Sequence, residues 1–79
     1  MRRVTLSPPE LAGWLSAELR STLLADAKVT AVRPLPKPDA SGCNWSDEVA
    51  VDPGAAHPVR AERAARRIAA DARRWFNLS

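Results

Sequence analysis

The sequence predicts a small two-layer α+β domain with the element order β-α-β-β-α, in which an antiparallel hairpin packs against two helices. Three observations predict it: 79 residues suffice for one domain, two amphipathic segments each begin with proline, and two β-branched or alternating segments lie between them. Residues 1–79 are therefore expected to form a single domain. The chain has 15 alanines, so few larger apolar side chains remain for its core, and a domain of this size is only marginally stable.

The first strand and helix are predicted from a local signal. Arg2–Leu6 is a candidate strand, and the run Ser7-Pro8-Pro9-Glu10 that follows is typical of a helix start. Ser7 is expected to cap the helix, Pro8 to occupy its first position, and Glu10 to reach back to the cap. The helix is expected to end near Ala25. At 100° per residue, one face contains Leu11, Trp14, Leu15, Leu19, Thr22 and Ala25.

Two extended segments predict the hairpin. Val29–Leu35 is rich in β-branched residues, and Trp45–Val51 largely alternates between apolar and polar side chains. A loop rich in proline and small polar residues, 36–44, joins the two segments. Asp52-Pro53-Gly54 is a turn signal that ends the second strand.

The second helix is expected to run from Pro58 to about Phe76, again with proline at its first position. Its apolar face is mostly alanine, and its larger apolar side chains lie at the C-terminal end. The sequence places Trp14, Trp45 and Trp75 on the inner faces of their elements, so all three indoles are predicted to lie in the core.

The composition narrows the cellular setting. No apolar segment has the length of a secretory leader or of a membrane span, so we expect a cytoplasmic protein without membrane contact. Cys43 is the single cysteine, which excludes a disulfide within the chain and fits a reducing compartment.

The second helix has an arginine-rich face. Its members project on the side opposite the alanine stripe and are Arg60, Arg63, Arg66, Arg67, Arg73 and Arg74. Guanidinium groups bind phosphate oxygens, so this face could bind nucleic acid. Because Asn and Gln are absent between positions 60 and 75, such binding is expected to be indifferent to base sequence. The alternative, which we favour, is a solvated outer face.

The loop before the second hairpin strand is the candidate surface for a protein partner. Its candidate contact residues are Pro36, Lys37, Pro38, Cys43 and Asn44. A structural role is the favoured interpretation of Gly42-Cys43-Asn44-Trp45, since glycine and asparagine suit a left-handed backbone and free cysteine is usually buried.

A thiol enzyme that uses Cys43 with His57 as its base is a less favoured alternative, because the spacing of the two residues does not require them to meet. One cysteine and one histidine do not provide the ligands of a structural zinc site, so no metal is expected.

The run Gly42-Cys43-Asn44-Trp45, followed by an alanine-rich helix that ends Ala72-Arg73-Arg74-Trp75-Phe76-Asn77, resembles short, uncharacterised proteobacterial proteins. The resemblance covers about the last half of the chain. It implies a bacterial, cytoplasmic protein and brings no activity or functional residues.

The scarcity of catalytic groups favours a non-enzymatic domain that needs no cofactor and works by binding a protein partner. A homodimer is one form of this hypothesis, because dimerisation is a common remedy for a small core. A nucleic-acid-binding accessory protein that uses the arginine-rich face is the alternative.

Overall fold

The computed structural model describes residues 3–79, which form two helices and four strands. The elements are β1 (Val4–Leu6), α1 (Pro8–Leu23), β2 (Lys28–Pro34), β3 (Trp45–Asp52), α2 (Pro58–Ala72) and β4 (Phe76–Leu78). The predicted α+β class and the β2–β3 hairpin packed against two helices are confirmed. The additional strand β4 was not predicted. Of the predicted strand Arg2–Leu6, Arg2 lies outside the described residues.

α1 begins as the sequence predicts. The Ser7 hydroxyl accepts a hydrogen bond from the Glu10 N–H at 3.3 Å, and the Ser7 N–H donates to the Glu10 carboxylate at 2.9 Å. This reciprocal capping satisfies two backbone donors that the helix itself cannot pair, and the backbone bond from Ser7 lowers the pKa of Glu10. The helix ends at Leu23, and Leu24 adopts a left-handed conformation (φ 53°).

The hairpin is antiparallel and irregular. Ala31 pairs with Ala50, and Arg33 with Ser46, so the three residues Asp47–Val49 lie opposite Val32 alone. This arrangement is a β-bulge in β3, which bends the strand and breaks the regular ladder.

α1 covers one edge of this hairpin. The Ser16 hydroxyl, buried on α1, accepts a hydrogen bond from the Val29 N–H at 2.9 Å and donates to the Ala12 carbonyl at 2.7 Å. Because the Val29 N–H points to α1, it faces away from β3. The helix thus satisfies a backbone donor on the outer edge of β2.

The predicted helix 58–76 is four residues too long, because α2 ends at Ala72. Arg74 and Trp75 donate backbone hydrogen bonds to Asp71 and Ala72, three residues back, and this tight turn redirects the chain. β4 then pairs in parallel with β1, with Val4 opposite Phe76, in a second two-stranded sheet. The first strand therefore does not join the hairpin's sheet.

The core lies between the helices and the two sheets. Its buried members with the largest side chains are Trp45, Leu11, Leu15, Leu19 and Cys43, and α2 contributes four alanines. The prediction that all three tryptophans are internal is wrong, since Trp14 is 37% and Trp75 42% exposed. Trp14 lies at the border of the apolar face of α1, and Trp75 is in the turn after α2 rather than on its inner face.

Among residues 3–79, neither helix has the length and apolar character that crossing a lipid bilayer requires.

Candidate binding surfaces

The predicted partner-binding loop has an outward part and an inward part. Pro36, Lys37 and Pro38 are exposed, as a contact surface requires. Cys43 is 0% exposed, and its sulfur lies 3.5 Å from the Trp45 carbonyl oxygen. Asn44 is half-buried, and its side chain is held by the backbone of β4. The predicted surface therefore combines residues that the fold exposes, 36–38, with residues that it buries or half-buries, 43–44.

Asn44 and Trp45 hold the C-terminal strand. The Asn44 amide donates to the Leu78 carbonyl at 2.8 Å and accepts from the Leu78 N–H at 2.8 Å, so the side chain binds as a neighbouring strand would. The Trp45 indole N–H donates to the Phe76 carbonyl at 2.9 Å. We call these contacts, together with the Arg73 contacts described next, the C-terminal clasp.

Arg73 completes the clasp from the end of α2. Its Nε donates to the Trp45 carbonyl at 2.7 Å, and its terminal nitrogen forms an ion pair with Asp39. The Asp39 carboxylate also accepts from the Ser41 hydroxyl at 2.6 Å. The Ser41 bond and then the Arg73 bond hold the pKa of Asp39 well below its usual range.

Arg3 ties the N-terminal end of the described chain to the same region. Its guanidinium donates to the carbonyls of Arg73 and Ser41, and Asn77 donates to the Gly42 carbonyl at 3.1 Å. Sequence reasoning missed Arg3 and Asp39. The one available signal was the Asp-x-Ser spacing at 39–41, which is typical of a side-chain turn.

The clasp gives both parts of the motif Gly42–Trp45 and Arg73–Asn77 a structural role. Glycine at position 42 has φ 87°, a region that residues with a Cβ rarely adopt. Asn44, Trp45, Arg73 and Asn77 then join the loop to the chain end. The side chains of these four residues are hydrogen-bonded within the fold.

Cys43 and His57 lie at opposite ends of α2. Arg73 contacts Trp45, beside Cys43, whereas His57 precedes the first residue of the helix. The 15 residues of α2 span about 22 Å at 1.5 Å per residue, so the two side chains do not form a nucleophile–base pair. Within residues 3–79, no group of three potential metal-ligating side chains comes together.

The arginine-rich face of α2 is smaller than predicted, because Arg73 lies beyond the helix and turns toward Asp39. The others are exposed. Arg66 lies 3.9 Å from Glu48, and Arg74 lies 3.8 Å from Asp71. Three arginines of this face have no acidic partner within 4.0 Å among residues 3–79, and they are Arg60, Arg63 and Arg67.

An open groove of about 450 Å³ separates the bulged part of β3 from the first half of α2. Val49, Ala50 and Val59 form its apolar part. Its charged lining residues are Asp47, Glu48, Glu62, Arg63 and Arg66.

An apolar surface of aromatic character lies around the β1–β4 sheet. The rings of Trp14 and Phe76 meet edge to face with centroids 5.0 Å apart, and Val4, the strand partner of Phe76, is 53% exposed. The backbone of Trp75 joins the same region, since its carbonyl accepts from the Val4 N–H at 2.9 Å. We call Val4, Trp14 and Phe76 the aromatic patch.

No family model, curated protein or solved structure matches this chain. The resemblance to short proteobacterial proteins therefore stays a prediction, and the surfaces described above are the basis for a functional proposal.

Proposed function

We propose that this protein is a non-enzymatic domain that binds a protein partner through the aromatic patch. The observation that carries the proposal is the exposure of Trp14 beside Phe76 and Val4. Tryptophan is enriched among the residues that dominate binding energy at protein interfaces. Burying a large aromatic side chain is strongly favourable, and in a chain with so few large apolar residues its exposure is costly without a partner.

The strand edges support the patch over the hairpin as the contact surface. α1 supplies a hydroxyl to the outer edge of β2 at Val29. β3 is bulged, and the charged side chains of Glu48, Arg33 and Arg66 lie along it. Bulges and charges are the features that discourage edge-to-edge pairing of strands, so contact through side chains of the patch is favoured.

A second copy of the chain is one possible partner in this proposal. A symmetric dimer would place the patch of one copy against that of the other. The single thiol of Cys43 accords with a cytoplasmic setting for such a protein.

The test compares Trp14→Ser with Leu24→Asn. Leu24 is 89% exposed and directly follows α1, ten positions beyond Trp14 and about 15 Å away. Asparagine tolerates the left-handed backbone at this position. Light scattering from micromolar to millimolar concentration measures self-association. Affinity capture from a bacterial extract, followed by mass spectrometry, measures other partners.

We expect either self-association or one captured protein to persist in Leu24→Asn and to fall by about tenfold in Trp14→Ser. The proposal is overturned if both variants, each shown to be folded by circular dichroism, behave like the wild type. A monomer at every concentration removes the homodimer alone.

The alternative function that we propose is sequence-indifferent nucleic-acid binding by α2. The specific observation in its favour is that Arg60, Arg63 and Arg67 have no acidic partner in the described part of the chain. Affinity for duplex DNA should then fall by about 0.9 log units per phosphate contact for each decade of salt. The triple replacement of these arginines by glutamine should abolish binding, and lack of binding by the wild type at low salt would contradict this function.

A further inference from the structure

The small β1–β4 sheet has one edge whose backbone groups find no strand partner in the described part of the chain. We propose that this edge, the outer side of β1, pairs with β1 of a second copy of the chain in an antiparallel arrangement centred on Thr5. The result is a symmetric dimer with a four-stranded sheet of order β4-β1-β1-β4. The inference rests on the proposed function, because it names the partner, and it adds the backbone of β1 to the aromatic patch as a contact.

The hydrogen bonds of β1 show which of its residues faces outward. The Val4 N–H donates to the Trp75 carbonyl at 2.9 Å. The Leu6 carbonyl accepts from the Ser79 N–H at 2.9 Å, so Val4 and Leu6 both face β4. Successive residues of a strand direct their backbone groups to opposite edges. The N–H and carbonyl of Thr5 therefore point away from β4, and Thr5 is exposed.

Other strand edges are covered within the chain. Asn44 and Trp45 satisfy the backbone of β4 on the side away from β1, and Ser16 satisfies the outer edge of β2 at Val29. Natural proteins prevent edge-to-edge pairing with charges, prolines and bulges. Val4–Leu6 contains no charged residue and no proline, and its register with β4 is regular. The outer edge of β1 is thus open to pairing.

A second copy supplies a strand that matches this edge. In an antiparallel pair centred on Thr5, the Thr5 N–H of each copy donates to the Thr5 carbonyl of the other, so the same groups satisfy both edges. Val4 of each copy then lies directly opposite Leu6 of the other, at a position where side chains approach closely. Because Val4 is 53% exposed, the pairing covers an apolar side chain that the single chain leaves in water.

The pairing also joins the two aromatic patches. Val4 and Phe76 are register partners, so their side chains lie on the same face of the sheet, where Trp14 meets Phe76. A twofold axis perpendicular to the sheet keeps this face on the same side in both copies. The four-stranded sheet therefore has one continuous apolar face, and additional strands with such a face give a stability that two strands lack.

The edge favours a folded partner over a flexible peptide. Only Thr5 faces outward within Val4–Leu6, so the symmetric pair contains two intermolecular hydrogen bonds. A flexible peptide would lose its conformational freedom for these bonds, whereas β1 of a second copy is already held in extended form by β4. With so few bonds, we expect a weak dimer that forms at high protein concentration.

The experiment compares Thr5→Pro with Thr5→Val in the full chain. Proline lacks the N–H and is accommodated at edge positions whose N–H faces solvent, so Thr5→Pro removes the outward donor and keeps the bonds that Val4 and Leu6 make to β4. Valine retains the N–H and the β-branched side chain. Analytical ultracentrifugation from micromolar to millimolar concentration measures the dimerisation constant, and circular dichroism shows that each variant is folded.

We expect the wild type and Thr5→Val to dimerise with similar constants. Thr5→Pro should weaken dimerisation by about tenfold or more, because the dimer loses both intermolecular hydrogen bonds. A second measurement needs no variant. In a mixture of ¹³C-labelled and unlabelled wild-type chains, nuclear Overhauser effects should connect the Hα atom of Val4 in one copy with that of Leu6 in the other.

Three results would overturn the inference. One is a wild-type chain that stays monomeric at every concentration; capture of another protein that Trp14→Ser abolishes would then support the proposed function without this dimer. Another is equal dimerisation of Thr5→Pro and Thr5→Val, and a loss in Trp14→Ser alone would assign the contact to the side chains of the patch. The third is a dimer without Overhauser effects between Val4 and Leu6 of different copies.

Discussion

At the scale of single residues, two side chains make hydrogen bonds to β4 of the kind that a neighbouring strand would make. Asn44 presents a donor and an acceptor to Leu78, and Trp45 adds a donor to Phe76. β4 is therefore paired on one side by β1 and on the other by two side chains. A strand of three residues needs such support, because two-stranded sheets alone are marginally stable in water.

Asn44→Ala should lower the free energy of unfolding by about 2–3 kcal/mol. The reason is that the backbone N–H and carbonyl of Leu78 both lose the hydrogen bonds that the Asn44 side chain makes to them. Urea unfolding followed by circular dichroism measures the change. Lys37→Ala, at an exposed position of the same loop, is the control and should stay within about 0.5 kcal/mol of the wild type. Equal stability of the two variants would show that the amide contributes nothing.

Asp39 should make the protein sensitive to acid. Its pKa is lowered by the bonds from Ser41 and Arg73, so its contribution to stability is present above the pKa of the unfolded chain, about 3.9. That contribution is lost as the pH falls below this value toward the folded pKa.

The measurement is the urea midpoint at about pH 5 and about pH 3, on either side of the unfolded pKa. We expect Asp39→Asn to lose less stability over this interval than the wild type does. Glu18→Gln, at an exposed position of α1, should follow the wild type. If all three proteins lose stability equally between about pH 5 and about pH 3, the Asp39 contacts do not cause the loss of stability in acid.

Residue environments were predictable where a local signal or the helical period decided them. Ser7 and Glu10 cap α1 because the spacing of three fixes their contact. Trp14 and Trp75 were misplaced because helical projection assigns a direction but does not say where the neighbouring elements end. The pairing of Arg66 with Glu48 depends on a residue in another element, which no spacing within α2 reveals.

At the scale of elements, two glycines with opposite environments give a matched comparison. Gly54 has φ 56° in the turn after β3, and a Cβ there would collide with the Asp26 carbonyl oxygen. Gly13 lies in α1, and a Cβ there would meet no atom within 4 Å. The first glycine is required by the backbone, whereas the second only weakens its helix.

Gly54→Ala should therefore destabilise the protein by at least about 2 kcal/mol, from the left-handed backbone and the collision. Gly13→Ala should stabilise it by up to about 1 kcal/mol, because alanine is the better helix former. Thermal unfolding of the two variants measures both effects. Changes of the same sign would contradict the geometry of one of these positions.

The first residues of the helices could be predicted better than their last residues. Prolines mark the first turns of α1 and α2, and both helices begin there. The end of α2 at Ala72 depends on β4 pairing with β1, more than 70 positions away in the chain. Phe76 continues the apparent apolar face of the helix, so the local sequence contained no signal for the strand.

At the scale of the whole molecule, β4 closes the domain. It joins β1, and Leu78 is part of the buried core beside Trp45. Deleting residues 76–79 removes this strand, the partner of β1 and the acceptors of the Asn44 and Trp45 side chains. The loss should approach the total stability of a domain this small, on the order of 5 kcal/mol.

We therefore expect the shortened chain to lack a cooperative urea transition, monitored by tryptophan fluorescence and circular dichroism. Phe76→Leu is the control, because it retains the backbone bonds of β4 and should still unfold cooperatively. A shortened chain with the midpoint of the intact protein would show that the hairpin and the helices are stable without β4.

The parallel pairing of β1 with β4 also sets the order of events on the ribosome. Residues 4–6 are synthesised more than 70 residues before their strand partner, residues 76–78. β1 therefore has to wait unpaired until Leu78 emerges. Closure of this domain consequently cannot precede the synthesis of β4, and until then the apolar side chains of β1 are available to chaperones.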